Sequence, residues 1–107
     1  MSTMMIEIIN YKFNSNVNQK EVDHAHQVLN DFMLDQPGFL YRSVSETDGE
    51  IFDVNYWKDE ASLHAAGEKF PDTQACKLIS SLTIESSHVM RQMPVLVQAT
   101  SDNSQAA

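Results

Sequence analysis

The chain carries one cysteine, one tryptophan and only seven basic residues in 107, and each scarcity removes a class of protein. Cys76 has no partner for an internal disulfide, so a buried thiol packing as a small hydrophobe is expected rather than a reactive group. Seven Lys and Arg stand against fifteen Asp and Glu, a formal charge of -8, and nowhere do basic residues cluster. Such a field repels polyphosphate, so no nucleic-acid partner is expected, and the acidity reads as a solvated surface that keeps the protein soluble. Apolar runs are short and broken by charge, as by Glu7 within residues 4–9. None approaches the ~20 residues of a membrane helix, so no membrane partner is expected either. The N-terminus lacks a basic start, a long apolar middle and a small-residue cleavage site, which leaves the cytoplasm as the expected compartment. No Gly-rich phosphate loop, internal repeat or metal-ligand spacing stands out, and neither a metal nor a cofactor is expected. His24 and His26, two apart on one helical stretch, do not share a face and make poor joint ligands.

What is present fits one small domain, which at this length hides only about two thirds of the surface its unfolded chain exposes. Residues 4–13 are rich in Ile, Tyr and Phe and read as a strand, closed by the turn residues Asn14, Ser15 and Asn16. Asn18 with Glu21 three positions later forms a capping-box signal, and Val22, Ala25, Leu29, Phe32 and Met33 then fall on one helical face. Pro37-Gly38 stops that helix. Asp48-Gly49 predicts a tight hairpin between strands at 39–47 and 50–57. A helix starting at Asp59 or Ser62 is expected to be interrupted by Gly67 and Pro71, and a second piece from Asp72 presents Ala75, Leu78, Ile79 and Leu82. Residues 83–93 return to strand. The domain is expected to span 1–97, with a disordered polar tail at 98–107.

The order strand, helix, strand, strand, helix, strand is the split βαβ arrangement of the ferredoxin-like α+β class, with a four-stranded antiparallel sheet. Alternation leaves neither sheet face polar. Ile6 and Ile8 oppose Met5, Ile9, Tyr11 and Phe13, and Phe52, Val54 and Tyr56 oppose Ile51 and Trp57. Helices on crossovers cover one face only, so the other calls for a second copy of the chain, as in a dimeric α/β barrel.

With that order in hand, the segments Pro37-Gly38-Phe39-Leu40 and Val54-Asn55-Tyr56-Trp57-Lys58-Asp59-Glu60-Ala61 resemble the antibiotic biosynthesis monooxygenase family of the dimeric α/β barrel superfamily. The resemblance spans roughly residues 4–97. It implies the ferredoxin-like fold and a homodimer, and it embraces cofactor-independent monooxygenases of phenolic or quinol-type compounds, haem-degrading enzymes and proteins of no established activity. Where many members carry a His nine residues after the motif tryptophan and another beyond a proline, this chain has Ala66 and Asp72. The haem-degrading branch has a Trp at the position of Ala66 and its haem-ligating His near that of Cys76. Although Asn10 lines up with that branch's strand asparagine, haem degradation is disfavoured.

Cofactor-free oxygenation needs a dry pocket for an aromatic ring, a base for a phenolic proton and donors for the oxyanion. Asn10, Asp53 and Asn55 interrupt apolar central strands, where an unsatisfied buried polar group costs about 1 to 3 kcal/mol. They mark a ligand pocket, or else an internal hydrogen-bond network or a solvated strand end. Tyr41 and Trp57 are the aromatic pocket candidates, although Trp57 reads at least as well as a packing residue. His88, expected mid-strand with Ser86 and Met90 on its face, is the candidate catalytic base because imidazoles as a class exchange protons near neutral pH, set against the commoner structural role of a lone strand histidine. Two functions follow. One is a cofactor-independent monooxygenase acting on a small aromatic or quinol-type compound; the other is a non-catalytic small-molecule binding or stress-related module on the same dimeric scaffold.

Overall fold

The computed structural model describes residues 3–101. The chain runs β1 (Met5–Tyr11), α1 (Gln19–Leu34), β2 (Phe39–Thr47), β3 (Glu50–Trp57), α2 (Glu60–Lys69), α3 (Gln74–Leu82) and β4 (Val89–Pro94), with 3-10 turns at Phe70–Asp72 and Glu85–Ser87. All strand pairs are antiparallel, in the order β2-β3-β1-β4. This is the ferredoxin-like α+β fold that the order of elements implies.

Local chemistry sets the boundaries. The Asn18 side chain accepts from the Glu21 backbone N–H at 2.9 Å while the Glu21 carboxylate accepts from the Asn18 N–H at 3.3 Å, closing the capping box of α1. Asp59 caps α2 by accepting from the Ser62 N–H at 2.8 Å, and Thr73 caps α3 by accepting from the Cys76 N–H at 3.1 Å. Asp48 and Gly49 both take positive φ, 51° and 80°, the geometry whose twist suits a two-residue hairpin. That turn sets Thr47 opposite Glu50 and Tyr41 opposite Tyr56, after which a bulge at Leu40 shifts the register so that Phe39 lies opposite Trp57.

Three expectations are corrected. Gly67 does not interrupt α2, which continues to Lys69, because the capped start and the neighbouring Ala65 and Ala66 outweigh the ~1 kcal/mol a helical glycine costs. The stretch 83–93 is not one strand. Only Thr83 bridges Phe13, after which Glu85–Ser87 turns and β4 begins at Val89, so His88 precedes the strand instead of lying in its middle. The cause is local: Ser87 Oγ donates to the Ile84 carbonyl at 2.6 Å and accepts from the Lys12 N–H at 2.9 Å, giving the backbone a turn in place of a ladder. Cys76 is half-buried rather than enclosed, on the side of α3 next to Ser80. Of the tail expected at 98–107, residues 98–101 carry no regular secondary structure and 102–107 lie outside the described residues.

The helices cover one sheet face. Against it the core divides into two clusters, one of Tyr11, Ala25, Leu29, Ile51, Ala75, Ile79 and Leu82, the other of Met5, Met33, Trp57, Leu63 and Ala66. The opposite face carries Ile6, Ile8, Phe52, Val54 and Tyr56 only half-buried, with Tyr41 at 56% and Val89 at 49% exposure. No described residue covers it. No described helix is long and apolar enough to cross a membrane.

Candidate functional site

Between the two core clusters, the sheet presents a row of polar side chains to the helices. Register places Arg42 of β2, Asn55 of β3, Glu7 of β1 and Gln92 of β4 side by side, one rung across the whole sheet. On one side the next rung sets Asp53 between Val44 and Ile9, and on the other Trp57 stands beside Met5, so the polar row lies between the two apolar clusters. Above it lies a cavity of about 400 Å³. Its floor is polar, from Glu7, Tyr11, Arg42, Asp53, Asn55, Trp57 and Gln92; its helical roof is apolar, from Leu29, Phe32, Met33, Leu63, Ala66, Gly67, Phe70 and Ile79. Protein interiors are close-packed, so an opening of this size in so small a domain is a feature to be explained.

At one end Arg42 is locked. Nε and Nη2 donate to Asp53 Oδ1 and Oδ2 at 3.1 and 2.8 Å, Nη1 donates to Asn30 Oδ1 at 2.5 Å and to the His26 carbonyl at 3.5 Å, and Nη2 also meets His26 Nδ1 at 3.3 Å. The pair is nearly sealed, with side-chain exposures of 6% and 7%. Burial, and then the guanidinium, holds His26 below the usual histidine range, so a neutral ring accepts from Arg42 through Nδ1. Asn55 Nδ2 donates to Asp53 Oδ1 at 3.2 Å, while Asn55 Oδ1 is buried with no partner.

Tyr11 Oη and Trp57 Nε1 are likewise buried and partnerless. Burial, and next Asp53, pushes the Tyr11 phenol far up, so it stays protonated and able to donate. Glu7 is raised above the ordinary carboxylate range, chiefly by burial; Gln92 Nε2, donating to its Oε2 at 2.9 Å, offsets part of that rise. Trp57 acts on Glu7 in the same direction as Gln92, though its Nε1 stands outside hydrogen-bond geometry.

His88 sits at the rim. Its ring stacks on Tyr11 at 5.3 Å and 15°, and its Nε2 lies 2.9 Å from Thr83 Oγ1. Because Thr83 gives its one hydroxyl proton to the Ile79 carbonyl at 2.8 Å, Oγ1 must accept from His88 Nε2–H. A neutral His88 therefore offers Nδ1 as its basic atom.

Of the residues the sequence singled out, the structure brings Asp53, Asn55, Trp57 and His88 to one cavity and leaves Asn10 and Tyr41 out of it. Asn10 shares the parity of Ile6 and Ile8 and faces the uncovered side, and Tyr41 pairs there with Tyr56, ring centroids 6.2 Å apart. Trp57 is both wall and packing, 1% exposed and edge-on to Phe39 at 5.3 Å. Sequence reasoning missed Glu7, Tyr11 and Gln92. The signal was available: Glu7 alternates with Met5, Ile9 and Tyr11, a lone charge on the inward side of a central strand. Among the described residues no His, Cys, Asp and Glu group is arranged to hold a metal ion.

The sequence matches no protein-family profile and no curated protein. Solved structures do resemble it. SnoaB, a cofactor-independent oxygenase from Streptomyces nogalater, superposes with a TM-score of 0.61 at 12% identity, over 92% of this chain and 97% of its own. A proposed antibiotic biosynthesis monooxygenase from Chloroflexus aurantiacus J-10-fl gives 0.64 at 13%, over 92% and 98%. A dimeric ferredoxin-like protein of unknown function from Thermobifida fusca YX gives 0.71 at 16%, over 89% and 93%. At these identities the likeness is one of fold, and the fold is that of the antibiotic biosynthesis monooxygenase-like proteins the sequence resembles.

Proposed function

We propose that the chain is a homodimeric, cofactor-independent monooxygenase acting on a small aromatic or quinol-type compound held between sheet and helices. The observation that carries this reading is the cavity itself: an apolar roof over a floor where Tyr11 Oη, Asn55 Oδ1 and Trp57 Nε1 are buried without partners. Buried polar atoms are nearly always paired, so three left open toward one space point to a ligand that pairs them. A flat ring fits beneath Leu29, Phe32 and Met33 while its hydroxyls meet the floor. His88 Nδ1 at the rim takes the phenolic proton, Tyr11 and Trp57 donate to the resulting oxyanion, and the substrate's own electrons reduce dioxygen. The fold shared with a cofactor-independent oxygenase supports the assignment without fixing the substrate.

Oxygen uptake with a panel of quinols decides it. Turnover that stops under anaerobic conditions, and falls at least about tenfold in His88→Gln, is expected for a base of this kind. Ligands that raise the melting temperature with no oxygen consumed would favour instead a binding module, the reading supported by Ala66 and Asp72 standing where many relatives of this type carry histidines.

The second copy covers the open sheet face, where Ile6, Ile8, Val54, Tyr56 and Tyr41 form a patch too apolar to leave wet. Sedimentation at micromolar concentration is expected to give a dimer, and Val54→Asp at the centre of the patch a monomer with unchanged far-UV circular dichroism. A wild-type monomer would refute the pairing.

A further inference from the structure

We infer that Glu7 is the acceptor that anchors a neutral, hydroxyl-bearing aromatic ligand in the cavity, and that its charge turns carboxylated aromatics away. The inference deepens the proposed function and rests on the same cavity.

A carboxylate held here needs a spare cation; Arg42 does not supply one, and the open donors of the floor, Tyr11 Oη and Trp57 Nε1, are neutral. All five N–H groups of Arg42 are spoken for by Asp53, Asn30 and His26. With Arg42 neutralised by Asp53, Glu7 remains the uncompensated charge of the lining, and the helical roof adds no titratable group. Its carboxylate is oriented by Gln92 at Oε2, the only hydrogen bond it makes among the described residues, so Oε1 is left to accept. Beside it on the same rung, Asn55 Oδ1 is a second open acceptor on a side chain only 1% exposed. Two adjacent acceptors, one of them charged, complement a hydroxyl that still holds its proton. A carboxylate ligand would set like charges a few ångströms apart in a poorly solvated space, a penalty worth about tenfold or more in affinity.

The probes are 1-naphthol and 1-naphthoate, the same ring with a neutral hydroxyl or an anionic carboxylate, titrated into the full chain by calorimetry without oxygen. Wild type is expected to prefer naphthol, and Glu7→Gln to shrink that preference at least about tenfold, tightening naphthoate while loosening naphthol. An unchanged ratio in a folded variant, a wild-type preference for naphthoate, or binding of neither probe would overturn the inference.

Should Glu7→Gln fail to fold, wild type is titrated downward from about pH 8 toward the ordinary carboxylate range. As Glu7 takes up a proton, above the ordinary carboxylate range, the preference should fall. Asp53, Arg42, Tyr11 and His88 are the other ionisable groups facing this space, so the titration is repeated in His88→Gln; a fall abolished in that variant would refute the role of Glu7. No turnover is needed. Absent oxygen uptake therefore leaves this test intact, and a null result for Glu7→Gln leaves the oxygenase reading standing.

Discussion

Arg42→Met is expected to destabilise the protein by about 3 to 5 kcal/mol, measured as a shift in the denaturation midpoint at constant m-value. The size follows from what stays behind. Asp53, 5% exposed, would be left without its counter-charge in a nearly sealed site, with only Asn55 Nδ2 among the described residues still donating to it, and Asn30 Oδ1 and His26 Nδ1 would lose their donor together. Against a total stability of roughly 5 to 15 kcal/mol for a domain, that is a large fraction. Arg42→Lys should rescue little, because an ammonium cannot reach Asp53 in bidentate fashion while also meeting α1. The double variant Arg42→Met, Asp53→Asn should recover much of the loss, since it removes both charges and leaves no orphan ion. A cost below about 1 kcal/mol for Arg42→Met would mean that the pair is solvated in practice and behaves as a surface bridge.

That buried pair also marks the limit of what could be read from the sequence. Elements governed by local chemistry were legible: Asn18 with Glu21, Asp48-Gly49 and Pro37-Gly38 each name the backbone geometry they impose, and the structure adopts all three. The sorting of Ile6 and Ile8 from Met5, Ile9 and Tyr11 was legible too, because alternation is intrinsic to a strand. The rung from Arg42 to Gln92 was not, for it exists only when four strands lie in register, and a polar residue on an inward face looks in sequence like a break in an apolar run. Glu7 reads in that way. Asn10 and Tyr41 read as pocket candidates because each is polar or aromatic on a suitable strand; parity with Ile6 and Ile8 excludes the first, and the two-residue turn at Asp48-Gly49, which sets Tyr41 against Tyr56, excludes the second. His88 reads as mid-strand within 83–93, whereas Ser87 makes the local turn that precedes β4.

Gly38→Ala is expected to cost about 2 to 4 kcal/mol and to lower the melting temperature by about 10 °C or more. Two independent causes meet there. Gly38 has φ of 82°, a left-handed geometry that lets the chain leave α1 and enter β2 at once, and a Cβ at that position would overlap Ser62 Oγ and Cβ at the start of α2. The junction cannot easily move aside, because the Gly38 carbonyl accepts from the Lys58 N–H at 2.7 Å just beyond Trp57, tying the start of β2 to the end of β3. A double-mutant cycle separates the two causes: Ser62→Gly should relieve the overlap and leave only the backbone strain, so the double variant should be less damaged than the sum of the singles by about 1 kcal/mol or more. Strict additivity would show that sterics contribute nothing and that conformation alone demands the glycine. The position bears on the cavity as well, since Phe39 lies edge-on to Trp57 and α2 supplies Leu63, Ala66 and Gly67 to the roof. A folded Gly38→Ala variant should therefore bind 1-naphthol more weakly than wild type even where its residual stability is sufficient, because the shift that accommodates the methyl group moves roof against floor.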